Sequence, residues 1–142
     1  MISRTRSSIV AIAITAGCLF ALLHWLTLWL RYIAGLSNAP KHLWWIGSLD
    51  CVIYGVGTAI AAGVVASRSQ VGLRAAVTST IATLVPLLTL VLILASFSGQ
   101  PVGTVLRNTG RFALDYGLHI FVAVTISFSI VSALTRKNPA SN

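Results

Sequence analysis

Asp50 and Asp115 are the only carboxylate side chains in a chain of 142 residues, and both fall inside apolar stretches. A charged group near the centre of a bilayer costs roughly 2.5 to 3.5 kcal/mol on insertion scales, so it ordinarily faces a partner, water or a substrate route. His24 and His119 stand in apolar stretches too, with Arg31 and Arg111 at the edges. Arg107, Arg111, Asp115 and His119 follow one another at four-residue steps, which puts them on one face if their helix starts early, and His24 and Arg31, seven apart, share a face of another. A carboxylate beside a guanidinium keeps its charge, and a histidine between such groups can switch with pH.

The plainest use of these residues is structural: Arg111 pairs with Asp115, and His24 or Arg31 with Asp50, fixing helix register near a membrane surface. A second use is transport or proton relay, with Asp50, Asp115, His24 and His119 lining a water-filled vestibule in the outer half of the bilayer. A third is redox: His24 and His119 lie at similar depth on different helices and could clamp a haem. No cofactor is expected on the first two readings. No metal is expected either, since His24, Asp50, Asp115 and His119 lack local ligand spacing and the two cysteines, Cys18 and Cys51, have none. Nor does the chain carry a glycine-rich phosphate loop or a Ser-His-Asp arrangement, which removes the common soluble-enzyme classes.

The elements that must position these residues are four apolar stretches, about 8–30, 44–66, 75–96 and 112–134. Each matches the roughly 20 residues that a helix needs to cross a bilayer. A composition with 56% hydrophobic and 8% charged residues cannot cover a water-soluble globule. The expected fold is therefore an all-α integral membrane protein, four transmembrane helices in an up-down bundle with short loops, forming a single membrane domain over 1–142. Arg4 and Arg6 ahead of an apolar run imitate a secretory signal, but the run continues to Leu30, which reads as a span.

The formal charge of +8 resembles that of a nucleic-acid binder, yet its ten basic residues are spread in pairs at the ends of the apolar stretches. Six of them fall on the two tails and the second connection, four on the first and third connections. That tilts the positive-inside tendency toward both tails in the cytoplasm of a bacterial inner membrane, with dual orientation as the alternative. In that topology the end of the first span and the starts of the second and fourth share the outer surface. Counting the helical rise, His24 then lies about 10 Å in, Asp50 about 7 Å, Asp115 about 6 Å and His119 about 12 Å.

Small residues recur every fourth position along the second stretch, at Gly47, Cys51, Gly55, Ala59 and Gly63, and along the first at Ala13, Gly17 and Ala21. Such faces let membrane helices approach closely, so the first and second spans are expected to pair. Pro86 in the third stretch predicts a kink, a hinge in the sharper reading, with Thr78, Ser79, Thr80, Thr83 and Thr89 near enough to satisfy freed carbonyls. Trp25, Trp29, Tyr32, Trp44 and Trp45 read as an aromatic belt at one surface. The segment 99–111 reads as the longest connection, able to form a short surface helix.

The expected function is that of a small polytopic subunit or partner within a larger membrane assembly, non-catalytic, whose partners are lipids and other integral membrane proteins or further copies of itself. A small transporter or channel is the first alternative, a haem- or quinone-binding redox subunit the second.

Overall fold

A computed structural model describes residues 5–35, 40–68, 72–97 and 99–137, without the side chains of 40–47, 50, 136 and 137. The described chain is all-helical: α1 (Arg6–Ile33), α2 (Pro40–Ser67), α3 (Gly72–Ser96) and α4 (Val102–Lys137). Three of these, α1, α3 and α4, are long and apolar enough to cross a membrane. In α2 the described apolar helix runs over Cys51–Ser67, and the side chains of Trp44, Trp45, Gly47 and Asp50 lie outside the described residues.

Helix ends follow local chemistry. The Thr5 side chain accepts from the Ser8 amide at 3.4 Å and so caps the start of α1. Gly35 closes the other end in the left-handed region, with φ of 68°, where a side chain would be strained. Helix α4 begins at Val102 rather than near Phe112, so the segment read as a long connection is helical, and Arg107 and Arg111 belong to the same helix as Asp115 and His119. Pro101 starts this helix, its carbonyl accepting from the amides of Thr104 and Val105.

Inside the helices, hydroxyls turn back on their own backbone. Thr58, Thr80, Thr83, Thr89, Thr125, Ser127 and Ser129 each donate to the carbonyl four residues earlier at 2.7 to 2.9 Å. This hides polar atoms where lipid offers no partner. Around Pro86 the same habit leads away from the expected repair. Thr80, Thr83 and Thr89 bond Ala76, Ser79 and Val85, and none of these bonds reaches the Ala82 carbonyl that the proline deprives of its helical donor. Helix α3 nevertheless runs unbroken through Pro86.

Helix α1 packs against α2 and α4, and α3 packs against the same two from the other side. The shared core holds Ile12, Ala16 and Phe20 from α1, Tyr54, Ala62, Val65 and Ala66 from α2, Ala75 and Ala76 from α3, and Tyr116, Ile120, Ala123, Val124, Phe128 and Val131 from α4. The α1–α2 contact is built on small residues. A Cβ placed on Gly17 would stand 2.8 Å from the Gly55 carbonyl oxygen and 3.0 Å from Ala59 Cβ, and one on Gly63 would stand 3.3 Å from Ala13 Cβ. One turn further along, the Cys51 thiol reaches the Ala21 carbonyl oxygen at 3.5 Å. Rising numbers on α1 thus meet falling numbers on α2, an antiparallel register along Ala13, Gly17 and Ala21.

Candidate functional site

The second seam of α1, against α4, carries the polar side chains. Phe20, His24, Thr27 and Arg31 recur at steps of four, three and four, which keeps them on one helical face. On α4, Phe112, Asp115, Tyr116 and His119, at steps of three, one and three, also share one face. Where the two faces meet, Arg31 donates to the Asp115 carboxylate at 2.9 Å, with both side chains about half exposed, at 47% and 46%. Asp115 therefore pairs across helices with Arg31 and not with Arg111, which lies one turn earlier on α4 and makes no ion pair among the described residues. Two charges on separate helices fix register between them, whereas a pair within one helix would only decorate its surface.

One turn deeper, the Thr27 hydroxyl and His119 Nε2 stand 2.8 Å apart, again linking α1 to α4. The Thr27 oxygen also lies 2.9 Å from the Leu23 carbonyl, and His119 Nδ1 lies 2.5 Å from the Asp115 carbonyl. Deeper still, His24 is 6% exposed and sits among rings. It stacks on Phe20 with centroids 5.7 Å apart, tilts against Tyr116 at 4.8 Å and meets the edge of His119 at 5.7 Å. Tyr116 continues the cluster to Tyr54 of α2 at 4.4 Å and to Phe112 at 4.1 Å.

The structure thus brings Arg31, Asp115, His24 and His119 together at one end of the α1–α4 seam. Asp50 belongs to α2, four residues before Tyr54 in sequence, and its side chain lies outside the described residues. Five contributors escaped the sequence reading: Phe20, Thr27, Tyr54, Phe112 and Tyr116. The signal for three of them was available, because Phe20 and Thr27 share the helical face of His24, and Phe112 is seven residues before His119, on the same face of its helix.

Haem does not fit this arrangement. The His24 and His119 rings touch edge to face, and Phe20 and Tyr116 close around them, leaving no slot for a porphyrin slab between the two imidazoles. Both His119 nitrogens are already within hydrogen-bond distance of protein oxygens. Among the described residues no three of His, Cys, Asp and Glu are grouped so as to hold a metal ion. The polar pairs instead can hold two helices in register and carry a proton between hydrogen-bonded atoms.

On the first helix the aromatic side chains outside the core form a ladder at the same end. Trp25 and Trp29 are 6.2 Å apart, and Trp29 meets Tyr32 edge-on at 6.3 Å. Comparison with protein-family models, with curated proteins and with solved structures finds no match to this chain.

Proposed function

We propose that this chain is a four-span protein of the bacterial cytoplasmic membrane, an up-down bundle with both tails cytoplasmic, acting as a small non-catalytic subunit or partner within a larger membrane assembly. The observation that carries this reading is the outward placement of large apolar side chains on every helix. Leu22 on α1, Val52 and Ile60 on α2, Leu73, Ile81 and Leu94 on α3, and Leu114 and Leu118 on α4 are all more than half exposed. In water such faces would drive aggregation, but in lipid they are stable and ready to dock against neighbouring helices through van der Waals contact. Antiparallel register between α1 and α2 agrees with alternating spans.

Solubilising native membranes in mild detergent and identifying what travels with the chain tests this. Recovery in stoichiometric association with another integral membrane protein supports the subunit reading, with a defined homo-oligomer as the self-partnered form. A chain that purifies alone at its own mass contradicts it.

A second reading, a small transporter or channel with a polar site in the outer half, is favoured by one observation: an ion pair and a histidine–hydroxyl contact stacked along the same interhelical seam. It predicts that Asp115→Asn leaves expression and complex formation intact while abolishing a proton- or ion-dependent flux in proteoliposomes. Unchanged flux removes this reading.

A further inference from the structure

Arg107, Arg111, Leu114 and Leu118 follow one another along α4 at steps of four, three and four. At roughly 100° per residue they fall within about 60° of one another around the helix, beside the face that meets α1. All four are exposed, Leu114 at 75% and Leu118 at 64%. The arginines come first and the leucines follow, so one outward face passes from cationic to apolar along its length. The helical rise sets Leu114 about 5 Å and Leu118 about 10 Å below Arg111.

The level of this face is marked by α1. Arg31, in the last turn of α1, binds Asp115, which brings that helix end beside α4 one turn from Arg111. Trp29 and Tyr32 flank Arg31 in the aromatic ladder, and such rings favour the headgroup level of a bilayer. The arginines therefore stand at headgroup level or above it, and the leucines run down toward the acyl chains. Neither Arg107 nor Arg111 has an ion pair or a side-chain hydrogen bond among the described residues, and the first turn of α4 holds no acidic residue. Asp115 is the nearest carboxylate along α4, and Arg31 already binds it.

A guanidinium presents its N–H groups in a planar fork that matches phosphate oxygens. The occupant that fits two such forks above two exposed leucines is an amphiphile of opposite charge, with its phosphate at the arginines and an acyl chain against the leucines. A zwitterionic headgroup brings its own ammonium to the same place and loses part of the attraction. A second copy of this chain matches less well, because its carboxylates are Asp50 and Asp115 and the latter is bound to Arg31.

We propose that Arg107, Arg111, Leu114 and Leu118 form a binding face for an anionic glycerophospholipid, its phosphate held between the two guanidiniums and one acyl chain laid along the leucines. This narrows the lipid partner to one headgroup charge at one face of α4, and it does not depend on the subunit reading.

Native mass spectrometry of the full chain, purified in non-ionic detergent and given equimolar phosphatidylglycerol and phosphatidylcholine with identical acyl chains, counts which lipid stays bound. The parent is expected to retain phosphatidylglycerol with a preference on the order of tenfold, as two cations acting on one anionic headgroup would give. Arg107→Gln and Arg111→Gln made together should bring the two lipids to equal retention. Arg68→Gln and Arg74→Gln, which remove the same charge at exposed positions elsewhere, should leave the preference in place. Glycerol 3-phosphate, an anion without acyl chains, should not displace the bound lipid.

Equal retention by the parent overturns the proposal, as does a preference that survives the Arg107 and Arg111 changes. Its loss in the Arg68 and Arg74 variant would assign it to net charge and not to this face. Displacement by glycerol 3-phosphate would leave an anion site and remove the lipid, and a pair of chains that forms only with Arg107 and Arg111 intact would give the face to a second copy. Thermal unfolding without phosphatidylglycerol should be the same for parent and variants, which separates lost binding from lost fold.

Discussion

Helix α1 uses opposite devices on its two seams. Against α2 it offers almost no side chain, and Gly17 approaches Gly55 and Ala59 so closely that one added methyl would stand 2.8 Å from a carbonyl oxygen. Against α4 it offers its largest and most polar groups, with Phe20 and His24 packed among rings and Thr27 and Arg31 bonded to His119 and Asp115. Water cannot drive either contact inside a bilayer. Close backbone approach supplies dispersion energy in the first, and directional polar pairs supply register in the second. The first seam should therefore fail when atoms are added, the second when they are removed.

The largest expected effect comes from emptying the ring cluster. Phe20 is wholly buried between His24, Tyr54, Tyr116 and His119, so Phe20→Ala should lower stability by about 3 kcal/mol or more, read from thermal unfolding in detergent. A loss below about 1 kcal/mol would mean that the cluster is loosely packed. Next comes overfilling of the smooth seam. Gly17→Ala should cost about 1 to 3 kcal/mol, because the atoms it meets are backbone and a Cβ and cannot swing aside. Gly55→Ala, whose added carbon meets the Gly17 carbonyl at 3.3 Å, should cost less. Equal tolerance of alanine at the two glycines would mean that the helices stand further apart than these distances.

A smaller effect is expected from Arg31→Gln. The pair with Asp115 is half exposed, so its loss should remove no more than about 1 kcal/mol, and added salt should shrink the difference. The smallest belongs to a control outside both seams. A Cβ added at Gly110 would meet only open space, so Gly110→Ala in α4 should leave stability unchanged or raise it by about 0.5 to 1 kcal/mol. A loss there would point to a contact that the two-seam contrast omits.

The sequence displays one seam far better than the other. Ala13, Gly17 and Ala21 on one stretch and Gly55, Ala59 and Gly63 on the next are legible because small residues at a four-residue period have few other uses, and α1 packs against α2 along them. All-helical character and membrane-compatible length were legible for the same elementary reasons of run length and charge placement. The polar seam was legible only as a gathering of residue types. Asp115 has candidate cations on its own helix and on α1, and spacing favours the near one, Arg111. Tertiary approach of α1 selects Arg31 instead. Tyr54 and Tyr116 were hidden because, within an apolar stretch, a ring that packs in the core and one that faces lipid look alike. The early start of α4 was hidden by Thr104, Arg107 and Asn108, polar residues that interrupt the apolar run without interrupting the helix.

Helices α1 and α4 are held in register by groups that meet across their seam, and exchanging the charges of Arg31 and Asp115 tests this most directly. Thermal unfolding is measured for Arg31→Asp, Asp115→Arg and the two together. Each single reversal sets like charges face to face and should lower the midpoint, and the double exchange should recover most of both losses. Losses that simply add in the double variant would show that these two side chains do not meet.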